Sequence, residues 1–308
     1  VAATSITPAG ASAGTPPAIA TLRPGQEVDG VYACTRKDRL VARSGTPYLA
    51  LELRDASGAI AGRAFRDADV LAGRFERGDL VRVGGRVERF RDELQIEVRA
   101  IARAEGADPS RFLPVAYRDL DELDGFLESL AGEVRDPGFS ALLAALLGDA
   151  ELRAAWRRAP CSRNGHHAYL GGLLEHTVAV GTLALETCQL HPRLDQNLLL
   201  TAALVHDLGR TREFTYGAEI GLTDEGRLLG HVELGLRLLA GRGDAILDDS
   251  RRIALAHCVL THHGPDSAPG RRFGSAEAIA LYRLNAVDAA IKAAIEHGIA
   301  PAAGTAAG

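Results

Sequence analysis

The stretch Leu198-Leu199-Leu200-Thr201-Ala202-Ala203-Leu204-Val205-His206-Asp207-Leu208-Gly209 decides how the larger part of this chain folds. An apolar run from Leu198 to Val205 reads as a helix buried on all sides rather than an amphipathic surface helix. It ends in an imidazole beside a carboxylate, two of the commonest metal-binding side chains. Five more residues of these types, His176, His231, His262, His263 and Asp288, lie within about a third of the sequence. A buried helix that delivers His206 and Asp207 at its end is hard to account for by packing alone.

Working outward, the spacing of apolar residues predicts helices over Leu173–Leu190, Leu198–Leu208, His231–Ala240, Asp249–Thr261 and Ser275–His297. Asp119–Val134, Ser140–Leu147 and Ala150–Arg158 read as connecting helices ahead of them. His176 then falls early in one helix, His206-Asp207 at the end of another, and His231 at the start of a third. His262-His263 closes a fourth and Asp288 lies inside a fifth. A metal site assembled from several helices needs this distribution. His191, His257 and His297 share no such pattern and read as ordinary core or surface histidines.

The N-terminal third has a different period. Tyr48–Arg54 alternates, with leucines on one face and Tyr48, Glu52 and Arg54 on the other. Asp55-Ala56-Ser57-Gly58 is a turn, and Ala59–Phe65 a second strand. Asp79–Phe90 places Val81, Val83 and Val87 inward, and Glu93–Ala102 does the same with Leu94, Ile96 and Val98. With Glu27–Arg36 and a short helix near Ala68–Phe75, this is the pattern of a five-stranded OB-fold, a common oligonucleotide platform. Tyr48 and Phe65 project from the face opposite the leucines, with Arg54, Arg63, Arg82 and Arg86. Aromatics among arginines can stack bases and track a phosphate chain.

Composition narrows the class. Hydrophobic content of 46% and charged content of 24% mark a globular chain, and 308 residues are enough for two cores. A net charge of −5 argues against nonspecific coating of duplex nucleic acid, though a local basic groove remains compatible with it. Cys34, Cys161, Cys188 and Cys258 form no CxxC pair, so neither a disulfide framework nor a thiolate zinc motif is implied, and a reducing cytoplasm is expected. No stretch reaches the roughly 20 apolar residues of a membrane span. The Ala-, Thr- and Pro-rich start reads as a flexible leader, not a signal peptide.

The series His176, His206-Asp207, His231, His262-His263, Asp288 resembles the HD superfamily of metal-dependent phosphohydrolases. One assignment consistent with that resemblance gives His176, His206, Asp207 and Asp288 to a first ion. Asp207 would bridge to a second held by His231 and one or both of His262 and His263. Adjacent helical residues point about 100° apart, so those two need not share an ion. Divalent transition metals are implied, manganese foremost, with iron, cobalt or magnesium as alternatives. Arg210 reads either as a bidentate phosphate contact or as a helix-end surface arginine.

The stretch His166-His167-Ala168-Tyr169-Leu170-Gly171-Gly172-Leu173-Leu174-Glu175-His176-Thr177 is more specific. Together with Thr223–His231 and Glu277-Ala278, it resembles the YhaM-type exoribonucleases over roughly residues 21–297. The resemblance implies an OB-fold joined to an HD domain and digestion of single strands from the 3′ end. It also places His166 and His167 near the reacting phosphate, with His167, His206, Asp207 and Arg210 as the catalytic candidates. Arg210 stands where the family usually has lysine, and Cys161-Ser162-Arg163 replaces a more typical Ala-Ala-Lys-like run. No Gly-Tyr-Pro follows His262-His263, which disfavours a cyclic-dinucleotide phosphodiesterase of the HD-GYP kind.

The expectation is thus a multidomain α and β chain, with an N-terminal five-stranded OB-fold β-barrel followed by an all-α HD-domain helical bundle. Its expected parts are a disordered leader over 1–20, the OB-fold over 21–104, a linker and connecting helices over 105–160, the HD domain over 161–297 and a flexible tail over 298–308. The expected function is metal-dependent 3′-to-5′ hydrolysis of single-stranded RNA, or of DNA, with no membrane partner; a homo-oligomer is compatible with it. Two alternatives are a small-nucleotide phosphohydrolase with a regulatory OB-fold and a non-catalytic nucleic-acid-binding protein with a structural metal.

Overall fold

The computed structural model describes residues 18–42 and 45–297. The expected tail 298–308, and the expected leader as far as residue 17, lie outside the described residues. The chain divides into two compact units, one running to Leu113 and including Gly217–Glu219, the other comprising Pro114–Tyr216 and the residues from Ile220 onward.

The first unit is a closed barrel of β1 (Glu27–Val41), β2 (Pro47–Asp55), β3 (Gly58–Ala64), β4 (Leu80–Phe90) and β5 (Glu93–Arg103), in the order β1-β2-β3-β5-β4. All pairs are antiparallel except β3 with β5. Alternation drives closure. Leu49, Leu51 and Leu53 of β2 and Val81, Val83 and Val87 of β4 are almost wholly buried in one core with Ile96, Val98 and Ile101. Each such side chain contributes about 1.5–3 kcal/mol by leaving water. Helix α1 (Ala68–Ala72), between β3 and β4, adds Ala68, Leu71 and Ala72 to that core. Ile19, inside the stretch expected as a leader, is buried there too.

The second unit is helical: α2 (Leu120–Gly132), α3 (Pro137–Gly148), α4 (Ala150–Arg158), α5 (Gly172–Leu190), α6 (Gln196–Val205), α7 (Arg210–Glu213), α8 (Asp224–Gly243), α9 (Asp249–Thr261) and α10 (Ala276–His297). Aspartates fix many of the starts. Asp119, Asp136, Asp149, Asp195 and Asp248 each accept backbone N–H groups at the first turn of α2, α3, α4, α6 and α9. Such a cap is worth about 1 kcal/mol. The run that opened the sequence reading is buried throughout, from Leu198 to Val205. Leu123, Leu127, Leu142, Leu146 and Trp156 share one core with it. The segment expected as linker and connecting helices is therefore structural from α2 onward, part of the body that carries the histidines.

A short hairpin, β6 (Phe214–Tyr216) with β7 (Ile220–Leu222), and the single turn α7 were not expected from the sequence. Helix α8 starts earlier than expected, but Gly230 (φ 72°) breaks it one residue before His231, so His231 does head a helical segment. Gly209 explains how α7 and α8 come together: a Cβ there would lie 1.9 Å from the His231 carbonyl oxygen and 2.4 Å from the Gly235 nitrogen. Gly209→Ala must push α8 away and carry His231 with it. The expected cost is about 1–3 kcal/mol, read as a fall of several degrees in the thermal midpoint.

Candidate metal centre and nucleic-acid interface

In the helical unit three histidines are oriented by the same device. The Nδ1 of His206, at the C-terminal end of α6, lies 2.8 Å from the Ala203 carbonyl oxygen. That of His262, at the end of α9, lies 2.6 Å from the Val259 carbonyl oxygen. His176 Nδ1, on α5, lies 2.6 Å from Asp288 Oδ2. Carbonyls and carboxylates accept, so each Nδ1 carries the proton and each Nε2 presents its lone pair. Such outer partners fix the tautomer of metal-ligating histidines.

The freed Nε2 atoms converge on Asp207. Oδ2 lies 3.8 Å from His176 Nε2 and 3.7 Å from His206 Nε2. Oδ1 lies 3.5 Å from His262 Nε2 and 3.2 Å from His231 Nε2. His263 reaches the second set through its Nε2, 3.0 Å from that of His231. Helix α9 ends at Thr261 with His262 as its C-cap, still in right-handed helical conformation, and both imidazoles face Asp207 and His231.

Acceptors dominate the environment, with the Arg210 guanidinium and the Cys161 thiol as donors at Asp207 Oδ2. His176, His206 and His262 are fully buried and Asp207 is 2% exposed. Asp207 Oδ1 and His262 Nε2 have no hydrogen-bond partner. His176 Nε2 faces His206 Nε2 at 3.2 Å and Asn285 Oδ1 at 3.1 Å, while Asn285 Nδ2 donates to the His262 carbonyl and fixes the amide orientation. Lone pairs packed so closely, most of them buried, call for positive charge between them. Burial holds His206 well below the ordinary histidine range, so it is a neutral ligand. For Asp207 burial acts against ionisation, but Arg210 with the neighbouring histidines outweighs it, and the carboxylate stays well below its usual range. The donors fit divalent ions: His176, His206 and Asp207 form one group, and Asp207, His231, His262 and His263 another, each with ligand atoms within 4.8 Å of one another.

Two candidates stand elsewhere than expected. Asp288 groups with His167 and His176, accepting from both rings, at 3.0 Å and 2.6 Å, rather than with His206 and Asp207. Arg210 is no surface arginine. It is 9% exposed, with Nε 3.0 Å from Asp207 Oδ2 and Nη1 3.0 Å from Glu213 Oε2, so its guanidinium is already engaged by carboxylates. His167 is buried between Asp288 and the Tyr169 hydroxyl, with Glu175 accepting from that hydroxyl. Burial opposes its protonation, but Asp288 and Glu175 prevail and raise its pKa. Sequence reasoning did not single out Asn285, Glu213, Tyr169, Glu175 or Lys292, whose ammonium donates to Glu175 at 3.0 Å. For Asn285 a signal existed, since it precedes Asp288 by three residues and so shares its face of α10.

In the barrel unit, Tyr48 and Phe65 stack with ring centroids 5.3 Å apart, and the Arg63 guanidinium lies 6.0 Å from the Tyr48 ring. Arg54 lies on the same face of β2 as Tyr48, roughly 20 Å along the strand. Arg63 also lines an open groove of about 190 Å³, together with Ala50, Ala59, Ala61, Arg36 and Glu52 among others. Alanines in the lining leave it unfilled; Arg36 was not anticipated. Arg82 and Arg86 do not join this face. They sit on β4, which pairs with β1 and β5, where Arg82 binds Asp29 through two nitrogens and Arg86 donates to the Gly25 carbonyl.

Comparison with known proteins agrees with both halves. Residues 173–294 match the HD domain family model and residues 33–102 that of an OB-fold nucleic acid binding domain; residues 139–200 also match a putative helicase model. The chain is 27% identical over 246 residues to the 3′-5′ exoribonuclease YhaM of Bacillus subtilis (strain 168), covering 78% of this chain and 77% of that one. It is likewise 27% identical over 250 residues to the 3′-5′ exoribonuclease YhaM of Shouchella clausii (strain KSM-K16), covering 79% and 76%. Among solved structures, the second OB-fold domain of replication protein A from Methanococcus maripaludis aligns at 23% identity and a TM-score of 0.24, over 29% of this chain and 95% of that one.

Proposed function

We propose that this chain, similar over most of its length to the YhaM-type exoribonucleases, is a metal-dependent phosphohydrolase that removes nucleotides from the 3′ end of single-stranded RNA. The observation that carries the reading is Asp207, a buried carboxylate whose two oxygens face two separate sets of imidazole nitrogens. One ion would be held by His176, His206 and Asp207, a second by Asp207, His231, His262 and His263. Divalent ions supply, when bound, polarisation of a phosphoryl oxygen and a water acidic enough to lose its proton near neutral pH. The chain does the rest. Asp288 keeps the His176 ring in the ligating tautomer, Arg210 keeps Asp207 ionised, and Tyr48, Phe65 and Arg63 supply a stacking surface with a cation beside it. Imidazole-rich coordination favours manganese, iron or cobalt over magnesium.

An end-labelled single strand incubated with the protein and manganese should give a ladder that shortens from the 3′ end. Internal cuts, or turnover confined to mononucleotides, would contradict the reading. Metal should also stabilise the fold. At a free ion concentration a hundredfold above Kd the gain is about 2.7 kcal/mol, so adding manganese or cobalt to chelator-treated protein should raise its thermal midpoint by several degrees. An unchanged midpoint would mean that the buried acceptors do not bind these ions.

A further inference from the structure

Cys161 lies in one of the stretches where this sequence departs from the pattern it otherwise resembles, and its thiol is in the wall of the centre, donating to Asp207 Oδ2 at 3.3 Å. The loop from Cys161 to His167 is closed by the Cys161 N–H donating to the His167 carbonyl at 3.0 Å and the Ser162 hydroxyl donating to the His166 carbonyl at 2.7 Å. This folds Cys161 back beside His166. The Cys161 Sγ, a ring nitrogen of His166 and a ring nitrogen of His176 all lie within 4.8 Å of one another. Cys161 is fully buried, while His166 is partly exposed and so marks the side from which an ion can enter. The Nδ1 of His166 is buried without any hydrogen-bond partner.

We propose that Cys161, His166 and His176 form a third cation site, selective for a thiophilic ion such as zinc, which shares His176 with the hydrolytic centre. One sulfur and two imidazole nitrogens are a donor set that zinc and cobalt take readily and manganese does not. On binding, the thiol loses its proton to solvent as the sulfur–metal bond forms; no electrons are transferred. Because His176 serves one set or the other, zinc at this site removes a ligand from the manganese set. The chain then carries its own inhibitory metal site. This rests on the proposed cation centre through His176, but not on hydrolysis, and its test reads the thiolate directly.

The full chain, stripped of metal, is titrated with cobalt. The expected result is a near-ultraviolet thiolate-to-cobalt charge-transfer band, displaced by zinc, and for the zinc-loaded protein an X-ray absorption spectrum with a sulfur neighbour at about 2.3 Å. Cys161→Ser and Cys161→Ala should lose the band, and His166→Ala should weaken zinc binding at least about tenfold. In cleavage assays with manganese, the zinc dose for half inhibition should rise at least about tenfold in Cys161→Ser relative to the unaltered chain. Cobalt bound with no thiolate band would overturn the proposal on the unaltered protein alone, whether or not the variants fold. So would a band that survives both Cys161 substitutions, since the sulfur would then belong to another cysteine. Loss of nuclease activity with the band intact would instead count against the hydrolytic reading.

Discussion

Asp207→Asn is expected to reduce 3′-end hydrolysis by on the order of 10³-fold or more while leaving strand binding by the barrel unchanged. Asparagine keeps the size of the side chain but loses the negative charge and one of the two anionic oxygens. Those oxygens face His176 and His206 on one side and His231 and His262 on the other. Charge stabilisation by bound ions is worth several kcal/mol in the transition state, and each 1.36 kcal/mol is a factor of ten. The change also leaves Arg210 with Glu213 as its remaining carboxylate partner, so circular dichroism should confirm that the variant is folded. Single-turnover cleavage and equilibrium strand binding, measured side by side, decide the matter. Activity within tenfold of the unaltered chain would show that no ion depends on both oxygens.

The second large effect belongs to the barrel. The double substitution Tyr48→Ala, Phe65→Ala should weaken binding of long single strands by about 10- to 100-fold, at 1–3 kcal/mol per stacked base, with turnover of dinucleotides unaltered. Arg63→Ala should act differently. Removing one phosphate-tracking cation lowers affinity for all sequences and reduces the salt slope by about 0.7. Affinity measured against strand length and salt separates the two. If neither variant changes the length dependence, the barrel is not a substrate platform, and hydrolysis of small nucleotides becomes the better reading.

Much of this was legible in the sequence because periodicity reports burial. The alternation at Tyr48–Arg54 and Asp79–Phe90 gave two barrel strands within one residue of their ends, and α4 and α9 fall where the pattern put them. The runs before Gly230 and after Gly209 were not legible. Asp224–Leu229 holds few apolar residues, and the β6–β7 hairpin is three residues a side, too short for any period to register. At the site, residue type picked out donors but could not say how they face. Arg210 stayed open between a phosphate contact and a surface residue because its partners Asp207 and Glu213 flank it at three residues on either side, a distance that becomes contact only once the chain turns there. Arg82 and Arg86 alternate as well as Arg54 does, but strand order, which no single strand encodes, sets them away from the Tyr48 face.

Two of the three ring locks bear on how the centre tolerates mutation. His206 and His262 are held by the main-chain carbonyls of residues 203 and 259, one turn back on their own helices. The oxygen belongs to the main chain, so any replacement that the buried core accepts at those positions leaves ring orientation intact. His176 has no such insurance. Its lock is the carboxylate of Asp288, on a different helix and 112 residues away, and a single base change can remove it. Of these three rings, two have their orientation written in the backbone and are robust, and the third, written in a side chain, is fragile.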